Sequence, residues 1–311
     1  MSAASTSRSA GSTKSRKKNP KKETSQSGKK KPKKRQKASA KKLPAGGAPG
    51  YEEFDWYETP RYYDAIFDVD SDVEGDFLEA VFERHATPSK KGRRRVLEPA
   101  CGSGRLMVEM AQRGWDAHGF DLEPNMVAFT QERLAEEGLT GSATIADMAD
   151  FELRGSFDMA HCLVSTFKYL LTEEDARGHL RSVARALRPG GIYALGFHLS
   201  WYDYREKTHE KWIAKKNGAH VTCKITGWPA DRKTRTEKVR AKLKVVEDGV
   251  EKRAKTTWTF RSYDAQQVRS MLSAVPELEH VATYDFHYEV DEPQILSDEQ
   301  CDTLLILQKK A

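Results

Sequence analysis

A short strand that turns through small residues into a helix is the feature that most constrains this chain. Residues 96–104 read Val-Leu-Glu-Pro-Ala-Cys-Gly-Ser-Gly, and a helix is predicted to begin near Arg105. Glycine allows backbone conformations and close approaches that a Cβ would block. The free N–H groups of the following helix favour an anionic group such as a carboxylate. The segment therefore predicts a ligand site at the start of an α/β domain.

Strands and helices alternate after this turn. Glycine or proline residues separate them, and Thr172 with Asp175 predicts a helix N-terminus. The alternation favours a parallel sheet covered by helices on both faces. The predicted strands are 96–97, 117–120, 143–145, 157–164 and 192–198.

The pattern changes after Trp201. Residues 219–226 alternate like a half-exposed strand, and 238–246 and 250–260 flank Asp248-Gly249, a strong hairpin signal. We expect a small antiparallel insert at about 202–262, with Val239, Ala241, Leu243 and Val245 on one face. A helix at 268–275 and strands at 281–287 and 303–308 complete the chain.

The first fifty residues differ from the rest in charge. They contain 16 Lys and Arg and one acid, Glu23, so they carry +15 while residues 51–311 carry −9 and the whole chain +6. The segment has no aromatic residue and one leucine, too little apolar surface to offset the entropy of ordering. We expect a disordered Lys-rich tail over 1–50 and a folded domain over 51–311. Residues 14–42 could bind nucleic acid or another polyanion without sequence preference.

No membrane span or secretory signal is expected. No apolar core follows the early basic residues, and no run reaches the ~18 residues needed to cross a bilayer. Cys101, Cys162, Cys223 and Cys301 are far apart and lack zinc-ligand spacing, which predicts reduced thiols and no metal site. A cytoplasmic protein is predicted. If the host is eukaryotic, Lys29–Lys37 is also similar to a nuclear-import signal.

A nicotinamide-binding enzyme is the main competing interpretation of the turn. Its fingerprint is Gly-x-Gly-x-x-Gly, and Gly102 and Gly104 fit the first two positions. The third position is Met107, a bulky residue where glycine allows close helix–strand contact. The sequence therefore disfavours that interpretation.

The spacing Glu98-x-Ala100-x-Gly102-x-Gly104 resembles the first motif of class I S-adenosylmethionine (SAM)-dependent methyltransferases, with Ala100 where glycine is usual. Further segments are similar to family landmarks in family order. The resemblance implies a Rossmann-like α/β fold with a mostly parallel seven-stranded sheet whose last strand is antiparallel. The further segments that resemble the family are Asp121, Ala146-Asp147-Met148, Phe157-Asp158-Met159 and Leu187-Arg188-Pro189-Gly190-Gly191.

The resemblance implies SAM as the cofactor. In this interpretation Glu98 faces the ammonium group of SAM, Asp121 accepts hydrogen bonds from the ribose hydroxyls, and Asp147 meets the adenine amino group. Met148 would pack on the adenine ring. The predicted cofactor-binding residues are Glu98, Ala100, Gly102, Gly104, Asp121, Leu122, Asp147, Met148 and Val164.

The catalytic candidates follow from the chemistry of SAM. Its methyl group is already activated, so in-line positioning can supply much of the catalysis, and a base helps only a nucleophile that must lose a proton. His198, at the end of the fifth strand, is the candidate base, and Tyr63 could close over the pocket. The predicted substrate-pocket residues are Ser165, Thr166, Tyr169 and Trp201.

Some acceptors are disfavoured. The fourth strand lacks the (Asp/Asn)-Pro-Pro-(Tyr/Phe) element of many base-amine methyltransferases, and Cys162 has no adjacent proline, unlike the RNA cytosine-C5 nucleophile. A small-molecule O- or N-acceptor is the preferred hypothesis, because an antiparallel insert here is similar to the layout of glycine and sugar-amine N-methyltransferases.

Two alternatives stay open. One is an RNA or protein methyltransferase that docks through the tail and a basic hairpin face. The other is a non-catalytic SAM-fold protein that binds nucleic acid. The basic face comprises Lys238, Arg240, Lys242, Lys244, Arg253, Lys255 and Arg261.

Overall fold

A computed structural model of the chain describes residues 56–88, 92–153 and 157–311. The predicted tail over 1–50 lies outside the described residues, so its disorder and its reach to polyanions stay predictions. After a short 3-10 helix at Trp56–Glu58, helices and strands follow in chain order. They are α1 (Pro60–Phe67), α2 (Ser71–His85), β1 (Arg95–Pro99), α3 (Arg105–Gln112), β2 (Asp116–Asp121), α4 (Pro124–Glu136), β3 (Gly141–Ile145), β4 (Phe157–Cys162), α5 (Glu173–Ala186), β5 (Leu187–His198), β6 (Thr208–Lys216), β7 (Ala219–Gly227), β8 (Thr236–Glu247), β9 (Val250–Arg261), α6 (Ala265–Ser273), β10 (Leu278–Tyr284) and β11 (Asp302–Lys309).

Seven strands form the large sheet in the order β10-β11-β5-β4-β1-β2-β3. The pairs from β5 to β3 are parallel, whereas β11 is antiparallel to both β5 and β10. Every residue of β4 is buried, as expected for a central strand covered on both faces. The predicted Rossmann-like fold with an antiparallel last strand is confirmed.

The antiparallel insert forms a separate sheet in the order β6-β7-β8-β9. Asp248 and Gly249 have φ angles of 49° and 76°, the backbone that a two-residue hairpin turn requires. Val239, Ala241, Leu243 and Val245 are buried as predicted. Ala241, Leu243 and Val245 share a core cluster with α1, which covers this face of the small sheet through Tyr62, Ala65 and Ile66.

Several element boundaries differ from the sequence-based expectation. The apolar spacing over residues 62–82 predicts one helix ending at about Arg84, but the structure has two helices there, α1 and α2. Strand β4 ends at Cys162, before the predicted Val164, whereas β5 begins at Leu187, before the predicted Ile192. Strand β6 was missing from the prediction, because most of its residues are exposed and no apolar alternation shows in its sequence.

Among the described residues, no helix combines the length and the apolar character that crossing a bilayer requires. The division into a tail over 1–50 and a domain over 51–311 stays a prediction.

Candidate active site

The turn after β1 is built from left-handed backbone. Ala100, Gly102 and Gly104 have φ angles of 57°, 54° and 70°. A Cβ on Gly104 would lie 2.4 Å from Thr130 Cγ2 of α4, so no larger residue fits there without movement. Thr130 Oγ1 also donates a hydrogen bond to the Gly102 carbonyl at 3.0 Å. Helix α4 therefore fixes the turn, and two of its three left-handed residues are glycine for a steric reason.

Met107 does not block the helix–strand contact as its size suggested. It is fully buried, and the room for it comes from Gly119 in β2, where a Cβ would lie 2.4 Å from Met107 Sδ. The glycine that permits close packing therefore stands on the neighbouring strand rather than on the helix.

Glu98 is a buried acid directly below the turn. Burial raises the pKa of its carboxyl group to about 8, against the opposing effect of Arg105. Its Oε1 lies 3.9 Å from Nδ1 of His161. Within the described residues, Glu98 Oε2 and both ring nitrogens of His161 lack hydrogen-bond partners. A buried carboxyl group with an unpartnered oxygen costs free energy unless a ligand donates to it, so the site fits a group with an ammonium.

Arg105 is a residue that the sequence analysis did not name for the site. It opens α3, lines the same cavity as Glu98, and is held by Glu74 Oε2 at 2.5 Å and Ser71 Oγ at 3.1 Å. A buried guanidinium at a helix N-terminus suits a carboxylate. The signal in the sequence was a basic residue in the first helical position directly after the glycine turn.

Tyr63 lies over the turn. A Cβ on Gly102 would be 3.7 Å from Tyr63 Cε1, and the Tyr63 ring packs on Phe67 with 4.5 Å between centroids. Burial raises the pKa of its phenol well above the usual value, and the neighbouring Tyr57 adds to this effect. Tyr63 is therefore a neutral hydroxyl that covers the site.

Asp121 supports the turn from β2. Its Oδ2 accepts from the Gly102 N–H at 2.9 Å, and its Oδ1 accepts from the Glu123 N–H at 2.9 Å. Burial raises the pKa of this carboxyl group, although backbone hydrogen bonds oppose the rise. A nucleoside sugar would have to share these oxygens with the backbone.

The residues predicted for the rest of the nucleoside lie along the same edge of the sheet. Leu122 is exposed and follows β2. Asp147 Oδ1 accepts from the Ala149 N–H at 2.8 Å, and Met148 is buried in the core of the domain. Their roles toward adenine stay predictions.

A cavity of about 620 Å³ begins at the turn and extends to the small sheet. The structure brings most of the predicted residues to its wall. Gly104, Asp121, Leu122, Asp147 and Met148 do not line it. The predicted residues that line the cavity are Tyr63, Glu98, Ala100, Gly102, Val164, Ser165, Thr166, Tyr169, His198 and Trp201.

The loop after β4 forms one side of the cavity. Val164 and Ser165 both have left-handed backbone, with φ angles of 56° and 66°, a conformation that costs energy for residues with a Cβ. The chain therefore bends sharply after β4 ends at Cys162. This bend places Val164, Ser165 and Thr166 in the cavity wall. Cys162, just before it, is buried in the core, and burial raises the pKa of its thiol to about 12.

His198 is tied to the last strand. Its Nδ1 lies 2.8 Å from Asp302 Oδ1. Burial lowers the pKa of His198, but the hydrogen bonds with Asp302 and Cys301 outweigh this effect and raise it to about 9. The imidazole therefore carries a proton near neutral pH. A role as general base would require that proton to leave first, so this role stays a prediction.

The far end of the cavity is aromatic. Lys168 is buried there, and its Nζ donates to Glu237 Oε1 at 2.5 Å and to the His198 carbonyl at 3.1 Å. Stacked and edge-on ring pairs give the wall a fixed shape, as for Trp56 and Trp258 with centroids 5.6 Å apart. The sequence identified Tyr63, Tyr169 and Trp201 of this wall but not the wall as a whole, because its members come from six separate segments. The aromatic lining residues are Trp56, Tyr57, Tyr63, Phe67, Tyr169, Trp201, Tyr204, Trp212, Trp228, Trp258 and Phe260.

Residues 96–191 match the family model for a methyltransferase domain. A putative methyltransferase of Geobacillus sp. is 26% identical over 147 residues, which are 47% of this chain and 58% of that protein. A glycine/sarcosine N-methyltransferase of Parasynechococcus marenigrum is 30% identical over 127 residues, which are 40% of this chain and 43% of that protein. The chain thus spans about half the length of the curated relatives it matches.

A solved structure extends the likeness to most of the fold. The sugar N-methyltransferase KedS8 from Streptoalloteichus sp. superposes with a TM-score of 0.62 over 86% of this chain and 99% of that chain, at 20% identity. At this identity the likeness is one of fold. Together with the glycine turn, the match over residues 96–191 shows a methyltransferase domain in this part of the chain.

Proposed function

We propose that the protein transfers a methyl group from SAM to a nitrogen or oxygen atom of a small molecule. The observation that carries the proposal is that a single cavity of about 620 Å³ joins the glycine turn and Glu98 to the aromatic wall. This volume is in the range of small-molecule sites. The end at the glycine turn has polar groups that suit the amino-acid part of SAM. The end at the aromatic wall has an apolar surface that suits an organic acceptor.

The residues around the turn would hold the cofactor. Glu98 has a free buried oxygen for the ammonium of SAM, and Arg105 and the N–H groups at the start of α3 suit its carboxylate. Asp121, at the end of β2, would accept hydrogen bonds from the ribose hydroxyls. The sulfonium of SAM supplies an electrophilic methyl group when bound. The residues of the chain would bind and orient the cofactor and the acceptor and exclude water from the cavity.

The state of the cavity's titratable groups favours an amine acceptor. Tyr63 is a neutral phenol and Lys168 is paired with Glu237, so neither offers a free base. A hydroxyl acceptor needs a base before it attacks, whereas a neutral amine attacks first and loses its proton afterwards. Aromatic rings with the lining carboxylates Glu206 and Glu210 also suit a cationic or basic group. The relatives named as N-methyltransferases agree with this choice.

The direct test is transfer of labelled methyl from SAM into separated small-amine, small-hydroxyl, RNA and protein fractions. We expect label in the small-amine fraction, and loss of it in Glu98→Gln but not in Glu136→Gln, a matched change on the exposed face of α4. Label in RNA or protein, or none in any fraction, would contradict the proposal.

The basic hairpin face does not favour a macromolecular acceptor. Several of its cations already have acidic partners. Arg261 contacts Glu173 at 2.7 Å, and Lys244 and Arg253 share Glu251 at 2.7 Å and 2.5 Å.

We propose that residues 14–42 bind polyanions independently of the reaction. The +15 charge of the first fifty residues supports this. Replacing the lysines of 29–37 with glutamine should weaken salt-sensitive binding to nucleic acid and leave methyl transfer unchanged. Equal nucleic-acid binding by the wild type and this variant would show that the tail does not bind nucleic acid.

A further inference from the structure

Three different metal-ligating side chains meet at the edge of the cavity. His198 ends β5 and Asp302 begins β11, and the two residues are register partners in the antiparallel pair. Cys301 directly precedes Asp302. One ligating atom from each residue lies within 4.8 Å of the other two. The sequence spacing gave no sign of this group, because 102 residues separate His198 from Cys301 in the chain and the sheet alone brings them together.

The backbone around the three residues is held in place. Ser165 Oγ accepts from the His198 N–H at 3.2 Å, and Lys168 Nζ donates to the His198 carbonyl at 3.1 Å. The ladder between β5 and β11 fixes Asp302. The fixed backbone therefore keeps the three ligating atoms within 4.8 Å of one another.

The ligand set is also accessible. Of the chain's four cysteines, Cys101, Cys162 and Cys223 are buried and Cys301 is half-buried. His198, Cys301 and Asp302 all line the cavity. A metal held here would therefore face the space where the acceptor is proposed to bind.

We propose that His198, Cys301 and Asp302 bind one Zn²⁺ ion, with its fourth coordination position directed into the cavity. Imidazole, thiolate and carboxylate are the ligands that zinc takes in proteins, and three protein ligands with one open position are typical of sites where zinc meets a substrate. The open position would take water or an oxygen, sulfur or nitrogen atom of a small molecule. The ion would take the place of the hydrogen bond between His198 Nδ1 and Asp302 Oδ1, and any proton on a ligand would pass to solvent.

Metal binding can be measured without SAM and without turnover, so its outcome is separate from that of the proposed function. The full-length, tag-free protein is treated with a chelator and titrated with ZnCl₂ by calorimetry. The first fifty residues contain neither His nor Cys, so the tail adds no competing ligand of these types. We expect one Zn²⁺ per chain, and a loss of affinity of about 100-fold or more in Cys301→Ser.

Co²⁺ provides a spectroscopic readout that a structural role would not produce. Binding should give visible bands of tetrahedral intensity and a thiolate-to-cobalt charge-transfer band. This last band should disappear in Cys301→Ser and stay in the matched control Cys223→Ala, which removes a buried thiol of the small sheet. Asp302→Asn, checked for folding by circular dichroism, should also weaken the metal affinity.

Thiol labelling gives a third check on the native protein. Zn²⁺ should protect Cys301 from a thiol reagent, and the chelator should restore its reactivity. Absence of stoichiometric Zn²⁺ binding, or a charge-transfer band that Cys301→Ser retains, would overturn the proposal and leave His198 and Asp302 as a simple ion pair.

Discussion

The two ends of the cavity are built in different ways. The cofactor end comes from one continuous segment, residues 98–105, braced by Thr130 and Asp121. The acceptor end collects side chains from the N-terminal helices, the loop after β4, and strands of the small sheet. In the proposed function, the cofactor shared by many enzymes would be bound by a local motif, whereas the acceptor, which differs between enzymes, would be bound by residues distant in the chain.

This difference sets the order of expected effects. Changes in the compact turn should affect both folding and SAM binding, and changes in the aromatic wall should affect the acceptor alone.

Gly104→Ala should have the largest effect. The new Cβ would lie 2.4 Å from Thr130 Cγ2 in a backbone with φ of 70°, so both strain and a clash oppose it. We expect a loss of about 2–4 kcal/mol in the free energy of unfolding and loss of SAM binding, measured by denaturant unfolding and calorimetry.

Gly138→Ala is the matched control for that change. Its φ is 62°, but a Cβ there meets nothing within 4 Å, so about 1 kcal/mol of backbone strain is expected with SAM binding retained. Equal losses in both variants would mean that the packing of the turn on α4 has no special role.

Glu98→Gln should separate binding from stability. The amide cannot carry the charge that faces an ammonium group, so the affinity for SAM should fall about 10- to 100-fold. Calorimetry at pH 8 measures this, with Glu136→Gln as the control. An unchanged affinity would remove Glu98 from the cofactor site.

The same variant should change the pH dependence of stability. The pKa of Glu98 rises from its usual 4.5 to about 8 in the ligand-free fold. The unfolded chain releases this proton near its usual pKa and the folded chain near 8, so the wild-type protein should lose stability as pH rises between these values.

Glu98→Gln has no such proton to lose. At pH 8 it should therefore be more stable than the wild type by roughly 1–3 kcal/mol, and at pH 4 the two should be similar. Unfolding midpoints of the ligand-free proteins at both pH values test this. A variant less stable at pH 8 would contradict the burial of an unpaired carboxyl group.

Trp258→Leu tests the other end of the cavity. Trp258 stacks on Trp56 and lines the aromatic wall, far along the chain from the turn. We expect the KM for the acceptor to rise about tenfold, from the loss of about 1.4 kcal/mol of contact. The affinity for SAM should change by less than about twofold. A parallel loss of SAM affinity would show that the two ends are not independent.

Ala100→Gly should have the smallest effect and the opposite sign. Ala100 has a φ of 57°, where glycine is free of the strain that a Cβ causes. We expect a gain of about 0.5–1 kcal/mol in the free energy of unfolding, measured by urea unfolding. A loss of stability would mean that the Ala100 methyl group makes packing contacts worth more than the strain.

Local patterns predicted the large sheet because its central strands are buried and its strands are bounded by glycine, proline and capping residues. Strand β6 could not be found in this way, since it is a mostly exposed edge strand without apolar alternation. The split between α1 and α2 depends on packing against two different sheets. Such tertiary context overrides local propensity.

The sequence pointed to the turn, but it did not show what the side chains around it do. The carboxylate of Asp121 holds the Gly102 N–H, and Gly119 provides the room for Met107. From the sequence, Arg105 was predicted only as the start of a helix and not as a residue of the site. The His198–Asp302–Cys301 group depends on strand register, which a single sequence does not reveal.

The central claim is that the turn after β1, together with Glu98, binds the amino-acid part of SAM. The most direct measurement is calorimetric titration of the full-length protein with SAM and with its demethylated product. The account predicts one ligand per chain, with weaker binding in Glu98→Gln and no binding in Gly104→Ala. Absence of binding heat for both ligands, together with tight binding of NADH, would contradict it.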